Sequence, residues 1–320
     1  MQQVTRHAPG RICLFGDKID IAHKPVIAAT IDMYIRVRAA TRGDRRVILR
    51  SEDTGCVEDY ELGDAPDYSY DLKYVRAAIH LLGARVPDGV EITVCSDIPI
   101  GAGLSSSAAL TVGALQALDE LFDLRMSKDQ IAETAYRAEH DECGISCGRM
   151  DQYAIAYGGV TFINTGERPS AEVLPIADLP VVVGDSVEPR HASEVLARTR
   201  ARLDAGDEVV LDAFDRLHEY TLAGRDALVA GNAARVGELM TLSQAQEKRI
   251  GASTEKIERL CAAACAAGAQ GAKQMGAGGG GCMVAYCPGR QDEVAAAIDS
   301  AGGMTYKERI PYQPDSPVCE

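Results

Sequence analysis

Hydrophobic and polar positions change period several times along this chain. Residues 11–15, 26–40, 46–50 and 90–94 are apolar runs or alternations of the kind that form strands, and 26–40 is long enough to contain a bend. Residues 70–82, 108–122 and 127–141 bring their apolar positions round every three to four residues and predict helices, the last opened by Ser127. A short apolar run at 160–163 follows Gly158 and Gly159. The second half opens on a strand at 179–184. Helical stretches follow at 192–203, 208–229, 233–249 and 254–266. Strand-like runs at 272–275 and 282–287 flank a glycine cluster, and 291–301 closes as a helix. Gly166, Pro169 and Pro175 punctuate the change from the first half to the second, so two domains are expected, 1–170 and 171–320.

The turn between the strand at 90–94 and the helix at 108–122 carries the most chemistry. It reads Pro99-Ile100-Gly101-Ala102-Gly103-Leu104-Ser105-Ser106-Ser107. Unpaired N–H groups and the positive end of the helix dipole favour phosphate at such a place. Gly101 and Gly103 admit close approach of the backbone, and three hydroxyls add donors and Mg²⁺ ligands. The turn is not a Walker loop, because that pattern needs a Lys and none lies between Lys73 and Lys128. Plain serine capping of a helix is the competing reading.

Composition narrows the partners. The chain has 320 residues, enough for a large core or two domains, and a net charge of −14 that disfavours nucleic acid and acidic membrane surfaces. No apolar run approaches a membrane span, and the N-terminus has no apolar signal core. Ten cysteines in such a chain predict reduced thiols and a cytoplasmic setting. Cys143 and Cys147 have no matching pair, which argues against structural zinc.

The glycine cluster, Gly276-Ala277-Gly278-Gly279-Gly280-Gly281, contains G-x-G-x-x-G, but a strand follows it where a dinucleotide site needs a helix. What remains is a flexible hairpin turn or a loop lying against a polyphosphate. Near the N-terminus stands Ala8-Pro9-Gly10-Arg11-Ile12-Cys13-Leu14-Phe15-Gly16-Asp17-Lys18-Ile19-Asp20. Together and in this order, that segment, the Gly/Ser turn and the glycine cluster resemble the small-molecule kinases of the galactokinase, homoserine kinase, mevalonate kinase and phosphomevalonate kinase (GHMP) superfamily. A fourth segment, 138–152, is similar to the galactokinase pattern A-E-H-x-x-x-G-x-x-C-G-x-M-D-Q, with Glu139 and Asp151 at its two acidic positions. Arg190-His191 and Ser193-Glu194 faintly echo a further galactokinase stretch, whereas the glycine cluster is nearer the mevalonate kinase form.

The resemblance implies an α+β fold. Its N-terminal domain would be like ribosomal protein S5 domain 2 and its C-terminal domain ferredoxin-like, with ATP and Mg²⁺ used in the cleft between them. It implies that Asp151 is the catalytic carboxylate and Arg11 its partner. Ser107 and Glu139 would hold Mg²⁺. Gly101, Gly103, Leu104, Ser105, Ser106, Gly278 and Gly279 would bind the nucleotide. Asp17, Lys18, Asp20 and Gly148 would face the substrate, Asp20 by holding hydroxyls. Phosphoryl transfer asks mainly for positioning and charge stabilisation, which these groups supply. Asp151 would either take the hydroxyl proton as a general base or orient the nucleophile electrostatically beside Arg11. Taken singly, Glu139 reads as a solvated helix residue, Asp151 as a helix cap and Arg11 as a surface strand residue. His140 and His191 read as structural, and Lys273 as solvated.

The expected reaction is phosphorylation of a small molecule, in the first place the anomeric hydroxyl of a monosaccharide. The alternatives are a cyclitol, a non-sugar alcohol such as mevalonate, or a non-catalytic sugar sensor. One segment departs from the galactokinase pattern. Asp17, Lys18 and Ile21 stand where galactokinases carry Glu, His and Tyr. Lys18 would either suit an acidic sugar or pair with a neighbouring acid.

Overall fold

The computed structural model describes residues 2–99, 101–189 and 191–306. Its first sheet has seven strands: β1 (Gln3–Phe15), β2 (Val26–Thr41), β3 (Arg46–Ser51), β4 (Val57–Glu61), β5 (Val90–Ser96), β6 (Val160–Asn164) and β7 (Ser170–Val173). Strand β2 is long enough to pair with β1 along its length, with β5 near one end and with β6 near the other. Strands β3 and β5 are parallel. Four helices accompany this sheet: α1 (Lys73–Leu82), α2 (Ser106–Phe122), α3 (Lys128–Arg137) and α4 (Met150–Tyr157). Helix α2 packs across β1 and β2, where Gly113 lets it approach closely. A Cβ there would lie 3.0 Å from both Ala8 and Val37.

The second sheet contains β8 (Val181–Asp185), β9 (Gly271–Gln274), β10 (Cys282–Tyr286) and β11 (Met304–Tyr306), all antiparallel in the order β11-β8-β10-β9. Helices α8 (Glu255–Ala266) and α9 (Gln291–Ser300) pack on it, which makes the ferredoxin-like arrangement. Helices α5 (Ala192–Asp204), α6 (Glu208–Val229) and α7 (Ala233–Arg249) lie between β8 and α8 in sequence. One apolar core spans the two halves, and a second, smaller one lies between the second sheet and helices α8 and α9. Phe15, at the end of β1, packs on α6 at Gly224, where a Cβ would come within 2.8 Å of its ring.

Most expected elements are present, but β4, β7, β11 and α4 were not foreseen. Strands β4 and β7 are short edge strands with charged, exposed positions, so their apolar periodicity is weak. Because β7 pairs with β6, the first sheet extends to Val173 and the second starts at Val181. The chain therefore crosses between sheets over 174–180, a few residues beyond the expected division at 170/171. The helix expected over 127–141 ends at Arg137 and continues as one π-helical turn, Ala138–Glu142. No helix among the described residues is long and apolar enough to cross a membrane.

Candidate active site

The site begins at an irregularity in β1. The pairing of β1 with β2 shifts register between Pro9 and Arg11, next to the Gly/Ser turn. Gly10 allows that turn to close on the strand, since a Cβ there would lie 2.8 Å from the Leu104 carbonyl oxygen. The Arg11 backbone N–H donates to the same carbonyl at 3.0 Å. The Arg11 side chain then bridges the turn and α4. Its Nη1 donates to the Gly103 carbonyl at 2.7 Å, and its Nε and Nη2 donate to the two carboxylate oxygens of Asp151, each at 2.7 Å. Burial, the largest single influence, would lower the Arg11 pKa, but the charge and hydrogen bonds of Asp151, helped by Asp17 and Cys13, together raise the guanidinium above its ordinary value. The fork-to-carboxylate geometry fixes the direction of Asp151 as well as its charge.

Ser105 shows that the turn is more than a capped helix start. It sits at the cap position of α2 with φ +65° and makes no side-chain cap. Its hydroxyl instead donates to Asp151 Oδ2 at 2.5 Å. The first-turn N–H groups of α2 thus have no side-chain cap at the place where an anion would gather. Gly101, Gly103, Leu104, Ser105, Ser106 and Ser107 all line one cavity of about 430 Å³. Thr54, Asp71 and Tyr74 supply part of its far wall. No motif pointed to those three: Thr54 and Asp71 lie in connections and Tyr74 in the first turn of α1, with no chemical pattern around them.

A second cavity of about 400 Å³ lies on the other side of Asp151. Its polar groups include Arg11, Lys18, Asp20 and Asp151, and its apolar side includes Ile21, Ile145, Met150 and Leu196. Arg11 and Asp151 line both cavities. Asp20 is buried against Gly148, and burial followed by repulsion from Asp151 pushes its carboxyl up to about 6. Gly148 is indispensable to this arrangement, since a Cβ would fall 2.0 Å from Asp20 Oδ2. Gly148→Ala is therefore expected to raise the acceptor KM by at least about tenfold, with the ATP KM nearly unchanged, in steady-state assays at saturating partner.

Glu139 lies in the π-helical turn, which carries it into the interior, where it is 3% exposed. Its Oε1 accepts from Gln152 Nε2 at 2.8 Å, and the Ser107 hydroxyl also hydrogen-bonds it. Burial and the nearby Asp151 charge push this carboxyl up to about 7. Ser107 and Glu139 are hard oxygen donors, and among the described residues no Lys or Arg forms an ion pair with Glu139. This donor set fits a divalent ion held jointly with phosphate oxygens, since Mg²⁺ takes few protein ligands. The described residues offer no cluster of three or more His, Cys, Asp or Glu for a metal, and the described cysteines are free thiols.

The raised Glu139 value has a sign that can be tested. A carboxyl that titrates at about 7 in the fold and near 4.5 unfolded costs stability when ionised. The cost is complete above pH 7, shrinks as pH falls and vanishes below the unfolded value. Glu139→Gln is thus expected to stabilise the metal-free protein by about 1–3 kcal/mol at pH 8. Urea unfolding should show the gain shrinking at pH 5.5, whereas a gain independent of pH would remove the titration argument.

Two residues expected to face the substrate are held in buried ion pairs. Asp17 is fully buried, its carboxylate paired with Lys273 and accepting from the Gly276 N–H at 2.5 Å. Lys18 borders the second cavity, but its ammonium is 2.6 Å from Glu247 Oε2 and donates to the Gly276 carbonyl at 2.9 Å. Of its two expected roles, pairing with an acid is the one observed. Lys273, expected in solvent, is wholly buried. Burial, the largest single influence, would lower its pKa, but Asp17, Cys13 and Glu247 together raise it. Burial also pushes the Glu247 carboxyl up, against the pull of Lys18.

Gly278 and Gly279 are likewise taken up by packing. A Cβ on Gly278 would lie 2.3 Å from the Ala252 carbonyl oxygen. The Gly279 N–H donates to that carbonyl, and its own carbonyl accepts from the His191 N–H, both at 2.9 Å. Gly276 and Ala277, rather than these two, line the second cavity. His140 and His191 are exposed, and Arg190 lies outside the described residues.

Comparison with known proteins agrees with this geometry. The family model described as the GHMP kinases N terminal domain matches residues 73–159, and the GHMP kinases C terminal model matches 225–303. Mevalonate kinase of Pyrococcus abyssi is 34% identical, covering 96% of this chain and 95% of that protein. Galactokinase of Lactococcus lactis is 29% identical over 95% of this chain and 87% of that protein. A crystal structure of Lactococcus lactis galactokinase complexed with galactose superposes with a TM-score of 0.84 at 25% identity, covering 97% of this chain and 94% of that one. The Methanococcus jannaschii mevalonate kinase structure gives 0.80 at 22% identity, covering 97% and 98%.

These findings overturn the expectation of a galactokinase-like sugar 1-kinase. Several mevalonate kinases match at 33–34% over nearly the whole chain, above the galactokinase. The structure supplies a physical reason, since Asp17 and Lys18, at positions the resemblance assigned to a sugar, are spent on ion pairs. With both family models matched and its relatives aligned end to end, the chain belongs to the GHMP kinases and is an ATP-dependent enzyme that phosphorylates an alcohol.

Proposed function

We propose that this protein transfers the γ-phosphoryl group of ATP to the primary hydroxyl of mevalonate. The observation that carries the reading is the meeting of two cavities at the Arg11–Asp151 pair. Phosphate chemistry is suited to the Gly/Ser side, and an acceptor to the other. The acceptor side is half apolar, through Ile21, Ile145, Met150 and Leu196. Such a wall suits a short branched hydroxy acid with a methyl group better than a sugar, whose hydroxyls need polar partners nearly all round.

In this reading Asp151 holds the acceptor hydroxyl in line with the phosphate and takes its proton as the new bond forms. Arg11 and Ser105 lock the carboxylate in place, so little reorganisation is needed at the moment of reaction. Ser107 and Glu139 would hold Mg²⁺, which when bound supplies charge neutralisation at the phosphates. Asp20 accepts a hydrogen bond from the acceptor. A coupled ADP-release assay over mevalonate, phosphomevalonate, galactose, glucuronate and inositol tests the proposal. Turnover with mevalonate at a kcat/KM at least about tenfold above the others supports it. Preference for any other acceptor in that set overturns it.

A further inference from the structure

We propose that Asp17 and Lys18 form an inter-domain latch, which holds the Gly276 peptide in place as a wall of the acceptor cavity. Both backbone groups of Gly276 are taken by these two consecutive residues. The Asp17 carboxylate accepts its N–H at 2.5 Å, and the Lys18 ammonium donates to its carbonyl at 2.9 Å. Asp17 and Lys18 belong to the turn after β1, in the N-terminal domain. Gly276 opens the glycine cluster just after β9, in the C-terminal domain.

Each half of the latch has its own counter-charge on the C-terminal side. Lys273 on β9 pairs with Asp17, and Glu247 on α7 lies 2.6 Å from the Lys18 ammonium. Gln274 Nε2 donates to the same Glu247 oxygen at 2.9 Å, so β9 and α7 are tied behind the latch. The four charges sum to zero, and all four residues are buried. Lys18 is also held at φ +67°, a left-handed conformation that a side-chain-bearing residue rarely adopts.

Stability alone does not account for such a quartet, since well-packed apolar residues would serve a buried contact as well or better. Apolar residues could not hold the N–H and the carbonyl of one peptide at once. That peptide matters because Gly276 and Ala277 line the acceptor cavity together with Asp20, which lies two residues beyond Lys18. The latch therefore sets the distance between the acceptor-binding Asp20 and the opposite wall. Asp17, Lys18 and Glu247 act as positioning residues. The consequence for KM rests on reading this cavity as the acceptor site.

The test uses the full chain and two readouts. In Lys18→Met/Glu247→Leu both charges are removed together, so neither is left buried without its partner. Amide exchange across 276–281 is expected to accelerate at least about tenfold. The mevalonate KM should rise at least about tenfold while the ATP KM stays within about threefold. Lys18→Arg, which keeps the charge and the N–H donors, should restore near-native exchange and KM. Glu247→Asp keeps the charges but shortens the reach, and should move both readouts the same way by severalfold; it serves if the double variant is unstable. Native exchange at 276–281 in a folded variant overturns the latch, and faster exchange with an unchanged mevalonate KM overturns its positioning role. If the wild type does not turn over mevalonate, the substrate reading fails, while the exchange result still decides the latch.

Discussion

Asp151→Asn is expected to lower kcat by about 10²–10⁴-fold, with the ATP KM within about threefold of the wild type. The amide keeps the size of the carboxylate, so the variant should fold and keep both cavities. It loses the second charge-assisted bond from Arg11, because an amide nitrogen cannot accept from Nη2. It also loses the anionic oxygen that would take the acceptor's proton. Single-turnover measurements with saturating mevalonate separate this from slow product release. A kcat within about threefold of the wild type would mean that Asp151 does not touch the reacting hydroxyl.

Glu247→Ala should destabilise the protein by about 3–5 kcal/mol, the range found when one partner of a buried ion pair is removed. The loss is large because the Lys18 ammonium then stays in the interior with only the Gly276 carbonyl beside it. Gln274 Nε2 loses its acceptor in the same step. Urea unfolding at pH 7.5 reads the effect as a shift in midpoint with the slope preserved. The paired change Lys18→Met/Glu247→Leu should recover most of it, since neither charge is then left alone. A double variant as unstable as the single one would show that packing of the Glu247 side chain, and not the orphaned charge, is what matters.

Some of this protein was determined by local sequence and some only by long-range packing. The helices from α5 to α9 and the strands of both sheets' centres follow from apolar periodicity, which reports which face of an element is buried. The Gly/Ser turn could be placed from sequence because a strand, a glycine-rich connection and a helix follow in that order, an arrangement that leaves backbone N–H groups able to meet an anion. Arg11, Glu139 and Asp151 were legible only as members of ordered motifs. Their convergence depends on a register shift in β1 and on the π-helical turn that carries Glu139 inward, and neither leaves a periodic signal. The burial and pairing of Asp17, Lys18 and Lys273 were decided by tertiary structure alone. Each looks like a surface or pocket charge in sequence, and each is buried because its counter-charge comes from an element some 230 to 256 residues away, as Lys18–Glu247 and Asp17–Lys273 show. Charge pairing across domains has no period and no local composition, so only the folded chain shows which charges meet.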